Sequence, residues 1–313
     1  MANIISKAVK YLTDKEYRFL VNSNITGCPG MEDAEFLRRK FKVCMGRELN
    51  LDNPVTFNEK LQWLKLNDRN PDYTRMVDKY LVRDYIREKI GEEYLIPLIG
   101  VWDSPEEIDF DALPDQFVLK CNHNSGLGMY ICRDKSSMDV KKVKRELRRG
   151  LAQDYYITGR EWPYKDVPRK IICEQYMVNN EDQDLKDYKI QCINGQIDHI
   201  FVCVGRSEPG NLRYYFFDKK WNHLPYSIQD SDDEVFLKSL KPHNFDKMIE
   251  IAEKLCVGHP EIRVDLYEVN GKVYFGELTF FTSSGFDDTI THEADVEIGS
   301  RFILPEMPNK QKH

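Results

Sequence analysis

Two carboxylates near the end of the chain, Asp265 and Glu277, lie on the arms of a hairpin-like run from Ile262 to Thr279 that turns at Asn270-Gly271. Acids held in a pair on rigid strands suit magnesium, which takes one or two carboxylates and fills its other positions with phosphate oxygens. The pair therefore suggests a nucleoside triphosphate lying against a sheet. Register decides whether the acids meet. A two-residue Asn270-Gly271 turn pairs Asp265 with Gly276 and sends Glu277 to the opposite face. A three-residue loop of Asn270, Gly271 and Lys272 instead sets Asp265 opposite Glu277 and Arg263 opposite Thr279. The plain alternative is an exposed hairpin with solvated acids.

Cationic groups upstream fit the same chemistry. Lys120 ends the apolar run Gln116–Cys121, and the loop Asn122–Gly128 that follows contains Ser125, Gly126 and Gly128. Glycines there let backbone donors approach a phosphate, and a terminal lysine supplies charge. The loop fits neither the Gly-x4-Gly-Lys-Ser/Thr pattern nor Gly-x-Gly-x-x-Gly, so neither of those phosphate-binding folds is indicated. A surface lysine before an ordinary turn would look the same. Cys121 and His123 make a weak metal-ligand pair.

The elements that must position these groups read as α+β with antiparallel pairing. Apolar residues three or four apart mark helices over 35–43 and 57–66, the second opened by a Thr56/Glu59 capping box. Helices are also expected near 73–88, 139–153 and 244–255, and the first residues, Met1 to Leu12, show helical spacing. Strands are expected over 94–102 with a proline break, 116–121, 129–133, 170–177, 187–193, 197–204 and 213–217. On the 139–153 helix, Lys141, Lys142, Lys144, Arg145, Arg148 and Arg149 form a basic face. Such a face is usually just solvated, and contact with an acidic glycan or a membrane surface is its functional alternative.

Composition bounds the rest. A chain of 313 residues with 41% hydrophobic residues, 17 Tyr and 16 Phe fills more than one core, so at least two lobes are expected. A net charge of -7 speaks against general nucleic-acid affinity. No apolar stretch reaches membrane-spanning length, and the N-terminus lacks the pattern of a secretory signal. The eight cysteines are scattered without Cys-x-x-Cys spacing, as buried thiols of a cytoplasmic protein would be. Without repeats or a low-complexity linker, the lobes are expected to share a broad interface.

Taken in order, Lys79, Lys120, the glycine-containing loop, Glu174 in Cys173-Glu-Gln-Tyr176, Asp265 and Glu277 resemble the ATP-grasp superfamily over roughly 73–290. The segments Thr56–Lys65 and Phe117–Gly126 are similar to its teichuronopeptide-biosynthesis branch. The resemblance implies a fold of two sheet-bearing lobes clasping ATP and magnesium. The expected division is a helical region 1–72, an N-terminal lobe 73–175, a C-terminal lobe 176–304 and a tail 305–313.

The resemblance also implies site roles. Lys79, on a helix, and Lys120 meet the ATP phosphates and the adenine side, and Ser125 to Gly128 close over the phosphates. Glu174 and Tyr176 form the hinge at the adenine, and Asp184 or Asp187 takes the ribose hydroxyls. Lys189 adds a phosphate contact, and Arg263 stabilises negative charge beside the metal ligands Asp265 and Glu277. Thr279 stands where many relatives have Asn and is a shorter, weaker metal ligand. Arg206 is a further substrate candidate, and Ser283, Ser284 and Gly285 offer donors to an acyl phosphate.

The activity implied is phosphoryl transfer from ATP to a carboxylate, followed by attack of an amine. The substrates implied are a small amine or amino acid and a carboxylate-bearing unit of a surface polysaccharide, with room for peripheral association at the inner membrane face. Competing readings are an ATP-dependent glycan kinase, a nucleotide-binding scaffold of a polysaccharide assembly complex and a glycosyltransferase. The last lacks an Asp-x-Asp motif.

Overall fold

The computed structural model describes residues 2–179, 185–205 and 210–306, the side chains of 2–5 excepted. Helices α1 (Ala2–Thr13), α2 (Lys15–Ile25) and α3 (Asp33–Met45) come first, then α4 (Phe57–Asn67), α5 (Asp72–Val77) and α6 (Val82–Lys89). The Thr56/Glu59 capping box is formed and starts α4. Instead of one helix across 73–88 there are two, because the buried Asp78 side chain accepts from the backbone N–H groups of Tyr80 and Leu81 and so turns the chain. Lys79 accordingly sits in that turn, not on a helix.

Strands β1 (Leu98–Trp102), β2 (Phe117–Cys121), β3 (Met129–Cys132) and β4 (Ile171–Gln175) form an antiparallel sheet in the order β1-β4-β2-β3. The expected strand over 94–102 begins only at Leu98, because a 3-10 turn occupies Glu92–Tyr94 and Pro97 lacks a donor. Helix α7 (Val140–Ala152) covers this sheet with Val143 and Leu147, leaving its basic face outward. Gly128 passes so close to Gly150 of α7 that a Cβ would lie 2.7 Å from the Gly150 Cα, so packing as well as its positive φ of 72° calls for glycine here. The short helix α8 (Tyr156–Gly159) follows.

The larger antiparallel sheet comprises β5 (Asp187–Ile193), β6 (Gln196–Val204), β7 (Arg213–Phe217), β8 (His223–Leu224), β9 (Glu261–Val269) and β10 (Lys272–Thr279), in the order β10-β9-β5-β6-β7-β8. Helices α9 (Glu234–Ser239), α10 (Phe245–Leu255) and α11 (His292–Arg301) complete it. One face of the sheet packs into the largest core, where Ile190, Ile200, Val264 and Leu278 meet Met248 and Ile251 of α10. Helices on either side of residue 72 share this core, Leu61 and Leu64 of α4 together with Met76 and Ile86. A separate cluster around Phe19, Phe36 and Phe41 holds α2 and α3. No helix among the described residues is long and apolar enough to cross a membrane.

Candidate active site at the sheet face

The turn between β9 and β10 is the two-residue form, with Asn270 and Gly271 both at positive φ and Val269 paired with Lys272. That register alone would separate the acids. A bulge at Gly276 corrects it: Phe275 pairs with Leu266, and the next pair is Glu277 with Asp265. Phe275 and Leu278, three residues apart, thereby both reach the core, while Glu277 and Thr279 turn to the other face. A Cβ on residue 276 would lie 2.8 Å from the Tyr267 ring and 3.0 Å from the Asp265 carbonyl oxygen, so the bulge needs glycine.

Rows of side chains then cross the sheet. Phe216, Phe201, Lys189, Asp265 and Glu277 are successive partners from β7 to β10, and Gln191, Arg263 and Thr279 form the next row. The Asp265 carboxylate accepts from Arg263 Nε and Nη2 at 2.6 and 2.8 Å and from Lys189. Arg263 Nη2 also donates to the Thr279 hydroxyl at 3.0 Å. Burial favours the neutral acid, but Arg263 and Lys189 overcome it and hold Asp265 at about 2. Glu277 is more open, its side chain 36% exposed, with Lys79 Nζ 3.7 Å away. Burial is the largest single influence and raises its pKa, but Lys79, Lys189 and Arg263 together hold it below the ordinary carboxylate range.

Arg263, Glu277 and Thr279 line a cavity of about 310 Å³ with Lys79, Ser125, Tyr155, Glu161, Tyr164, Phe281, Ser283 and Ser284. Lys79 is aimed by the loop predicted to close over phosphates: its Nζ donates to the Asn124 carbonyl at 2.8 Å and its N–H to that of Asn122. The Asn122 amide in turn ties Asp78, Pro168 and Lys170 together. Asn122 and Asn124 thus fix a cation that the sequence presents forty residues earlier. On the smaller sheet, Lys120 Nζ meets Glu174 at 2.6 Å, and Arg83 donates to the other Glu174 oxygen at 3.2 Å.

Several expected residues are not brought into this cavity. Tyr176 lies outside this cavity, beside Arg133, whose Nε donates to its hydroxyl at 3.3 Å. Asp187 is 1% exposed and 2.8 Å from Lys189, enclosed rather than open to a ribose. Gly285 is buried behind its loop, where a Cβ would lie 2.5 Å from Gln62 Nε2, so it faces α4 instead of a substrate. Cys121 and His123 are structural: burial raises the thiol to about 11 and lowers the imidazole to about 4. The His123 Nε2 lies 3.0 Å from the Gln153 carbonyl oxygen. Asp184 and Arg206 lie outside the described residues.

Sequence reasoning missed Tyr155, Glu161 and Tyr164, which have no motif spacing, and the polar stripe of α4, read as packing. Asn58 accepts from the Asp287 N–H at 2.8 Å, Gln62 donates to the Ser284 and Gly285 carbonyls, and Lys65 donates to Ser284. The helical spacing of Asn58, Gln62 and Lys65 was the available signal. This stripe holds a strained loop: Phe281, Ser283 and Ser284 are all at positive φ, a costly conformation for residues with side chains.

The donor set fits magnesium bound to a nucleotide. Two carboxylates converge, and among the described residues no group of three or more His, Cys, Asp or Glu offers a closed protein cage. Glu277 faces the cavity, while Asp265 is enclosed by its two cations.

Residues 59–303 match the family described as TupA-like ATPgrasp, well over half of the chain. The chain belongs to the TupA-like ATP-grasp family. Membership bears out the expected superfamily and branch, the α+β ATP-grasp fold class and an ATP-grasp ligase. Among solved structures, D-alanine-D-alanine ligase from Helicobacter pylori is similar at 14% identity and TM-score 0.47, covering 79% of this chain and 68% of that one. The Bacillus anthracis D-alanine–D-alanine ligase complexed with ATP shows 15% identity and TM-score 0.41, with 73% and 63% covered. Phosphoribosylamine–glycine ligase from Thermotoga maritima shows 12% and 0.39, with 68% and 51% covered. Family membership stands on the sequence match, not on these loose likenesses. No curated protein matches the chain.

Proposed function

We propose that this TupA-like ATP-grasp protein is an ATP-dependent ligase that joins a carboxylate to an amine through an acyl phosphate. The carboxylate belongs in this reading to a cell-surface polysaccharide or its precursor, the other substrate is an amine or amino acid, and the reaction runs in the cytoplasm or at the inner membrane face. One observation carries the ligase chemistry: Arg263, Glu277 and Thr279 on the sheet share a cavity with Lys79, Ser125, Ser283 and Ser284 from three other segments.

Lys79, Lys120 and Ser125 with Gly126 and Gly128 bind the phosphate side of ATP, and Glu174 and Tyr176 lie at the hinge. Glu277, with Asp265 and Thr279 behind it, would hold magnesium, which would neutralise charge on the transferring phosphoryl group. A substrate carboxylate oxygen bonds to the γ-phosphorus and ADP departs. Arg263 and Lys189 stabilise the anionic intermediate, and Ser283 and Ser284 donate to it.

The test is ADP release with carboxylate and amine panels, with product mass identifying an amide or, for a kinase, a phosphate ester. Lys120→Ala and Glu277→Ala are expected to lower turnover by about 10²–10³, the scale of losing one electrostatic stabiliser. Near-normal turnover rejects the assignment.

A further inference from the structure

The cavity has a wall that ATP and magnesium do not explain. Glu161 is 4% exposed yet lines the cavity, and among the described residues no Lys or Arg nitrogen lies within 4.0 Å of its carboxylate. Lys65 is the nearby cation, but its three N–H donors are directed elsewhere, to the Gly159 carbonyl at 2.6 Å and to Ser284 O and Oγ at 2.7 and 3.0 Å. A buried carboxylate without a directly paired cation is costly, and such groups collect at functional sites. Two tyrosines flank it. The Tyr155 and Tyr164 rings pack edge to face at 4.8 Å, both line the cavity, and neither hydroxyl has a hydrogen-bond partner among the described residues. A carboxylate sharing a cavity with two tyrosine rings and two free hydroxyls is a receptor for an ammonium group.

Its position relative to the phosphate side matters. A Cβ on Gly159 would lie 2.1 Å from Ser284 Oγ, so the 159–161 segment rests directly on the loop offered to the acyl phosphate. The same Cβ would lie 3.1 Å from Glu161 Oε1, so the Ser284 hydroxyl and the Glu161 carboxylate are neighbours on that boundary. Anion-binding groups and an anionic group therefore share Ser284 as a boundary, as the two halves of an amide-forming reaction require.

Resting on the ligase reading above, we propose that Glu161, Tyr155 and Tyr164 form the subsite for the amine co-substrate, bound as an ammonium, and that Glu161 takes its first proton. The neutral amine's lone pair then forms the C–N bond to the acyl carbon. The bond from that carbon to the phosphate oxygen breaks, and its electron pair leaves with phosphate, which takes the amine's second proton. Burial raises the Glu161 carboxyl above its ordinary range, with Lys65 and Ser284 pulling it partly back, a direction that suits a base working nearer neutrality.

The test compares wild type with Glu161→Gln and Tyr155→Phe, using proteinogenic amino acids, D-alanine and ethanolamine as amines and hydroxylamine as a neutral trap for the acyl phosphate. Glu161→Gln is expected to raise the amine KM by about 30-fold or more, the lower end of removing one partner of a buried charge pair. It should also flatten the pH profile of kcat/KM for the amine, while hydroxamate yield and ATP KM stay near wild type. Tyr155→Phe should weaken the amine step by a smaller factor in the same direction. Equal loss of hydroxamate formation and amine use, or unchanged amine kinetics, overturns the subsite. If wild type turns over with no carboxylate, the ligase reading is what fails. Calorimetry of the same amines with enzyme, magnesium and a non-hydrolysable ATP analogue then decides the subsite: heat lost in Glu161→Gln sustains it, and equal heat rejects it.

Discussion

The two walls of the cavity manage buried charge in opposite ways. On the sheet, Asp265 is enclosed by Arg263 and Lys189, each a direct strand neighbour or one residue pair away, so every charge has a partner set by register. On the 155–164 segment, Glu161 has no such partner, and the nearby Lys65 is pulled by burial down to about 7 despite Glu161. A ladder can compensate charges internally because it fixes neighbours every second residue. A loop wall held from a distance leaves a charge for a ligand to compensate. Around Asp265 the sheet wall is thus rigid and neutralised from within, whereas the loop wall leaves the Glu161 charge for an ammonium group.

The sharpest break in this contrast is Asp265→Asn. It leaves Arg263 and Lys189 buried beside a neutral amide, and breaking a buried pair from one side costs about 3–5 kcal/mol. Asp265 in the folded protein lies at about 2, below its ordinary 3.8, so its stabilisation is complete above that ordinary value and is lost as pH falls through about 2. Urea unfolding should therefore show a wide gap between wild type and variant at neutral pH that narrows in acid. A gap independent of pH would mean that the pairing does not carry the stability. Gly276→Val comes next. It attacks the register rather than the charge, and crowding the Tyr267 ring should cost about 1–3 kcal/mol. If the bulge aligns Glu277 with Asp265, the variant also loses magnesium-dependent nucleotide binding in calorimetry, and retained binding shows that the acids meet without it.

The same contrast explains what could be read in advance. Runs of strand-forming residues bounded by turn residues place β5, β6, β7 and the β9–β10 hairpin within a residue or so, a strong local pattern even where both faces are buried. The spacing allows Asp265 and Glu277 to meet through a three-residue loop, but the structure brings them together differently: the turn is short, and Gly276 supplies the extra residue. The sequence marks Lys79 but not its setting, since the buried Asp78 that breaks the helix looks like any surface acid. Tyr155, Glu161 and Tyr164 carry no periodic signal, and only tertiary contact with Ser284 and α4 gives them meaning. Helix α11 escaped notice for a related reason, its buried Ala294, Asp295, Ile298 and Gly299 making a weak apolar stripe.

The smallest effect tests how the loop wall is supported. Gln62 is wholly buried on α4 and donates to the Ser284 carbonyl at 3.1 Å and to the Gly285 carbonyl. Those acceptors belong to the turn in which Ser283, Ser284 and Gly285 all hold positive φ. Gln62→Ala strips both carbonyls of a donor where little water can replace it, an expected cost of about 1–2 kcal/mol in chemical denaturation. Because the loss falls on the loop and not on the strands, ATP affinity should change little while the KM values for carboxylate and amine rise together. A variant whose ATP affinity falls as far as its substrate affinities would show that the two walls are one mechanical unit. Unchanged kinetics would mean that the loop keeps its shape without help from α4.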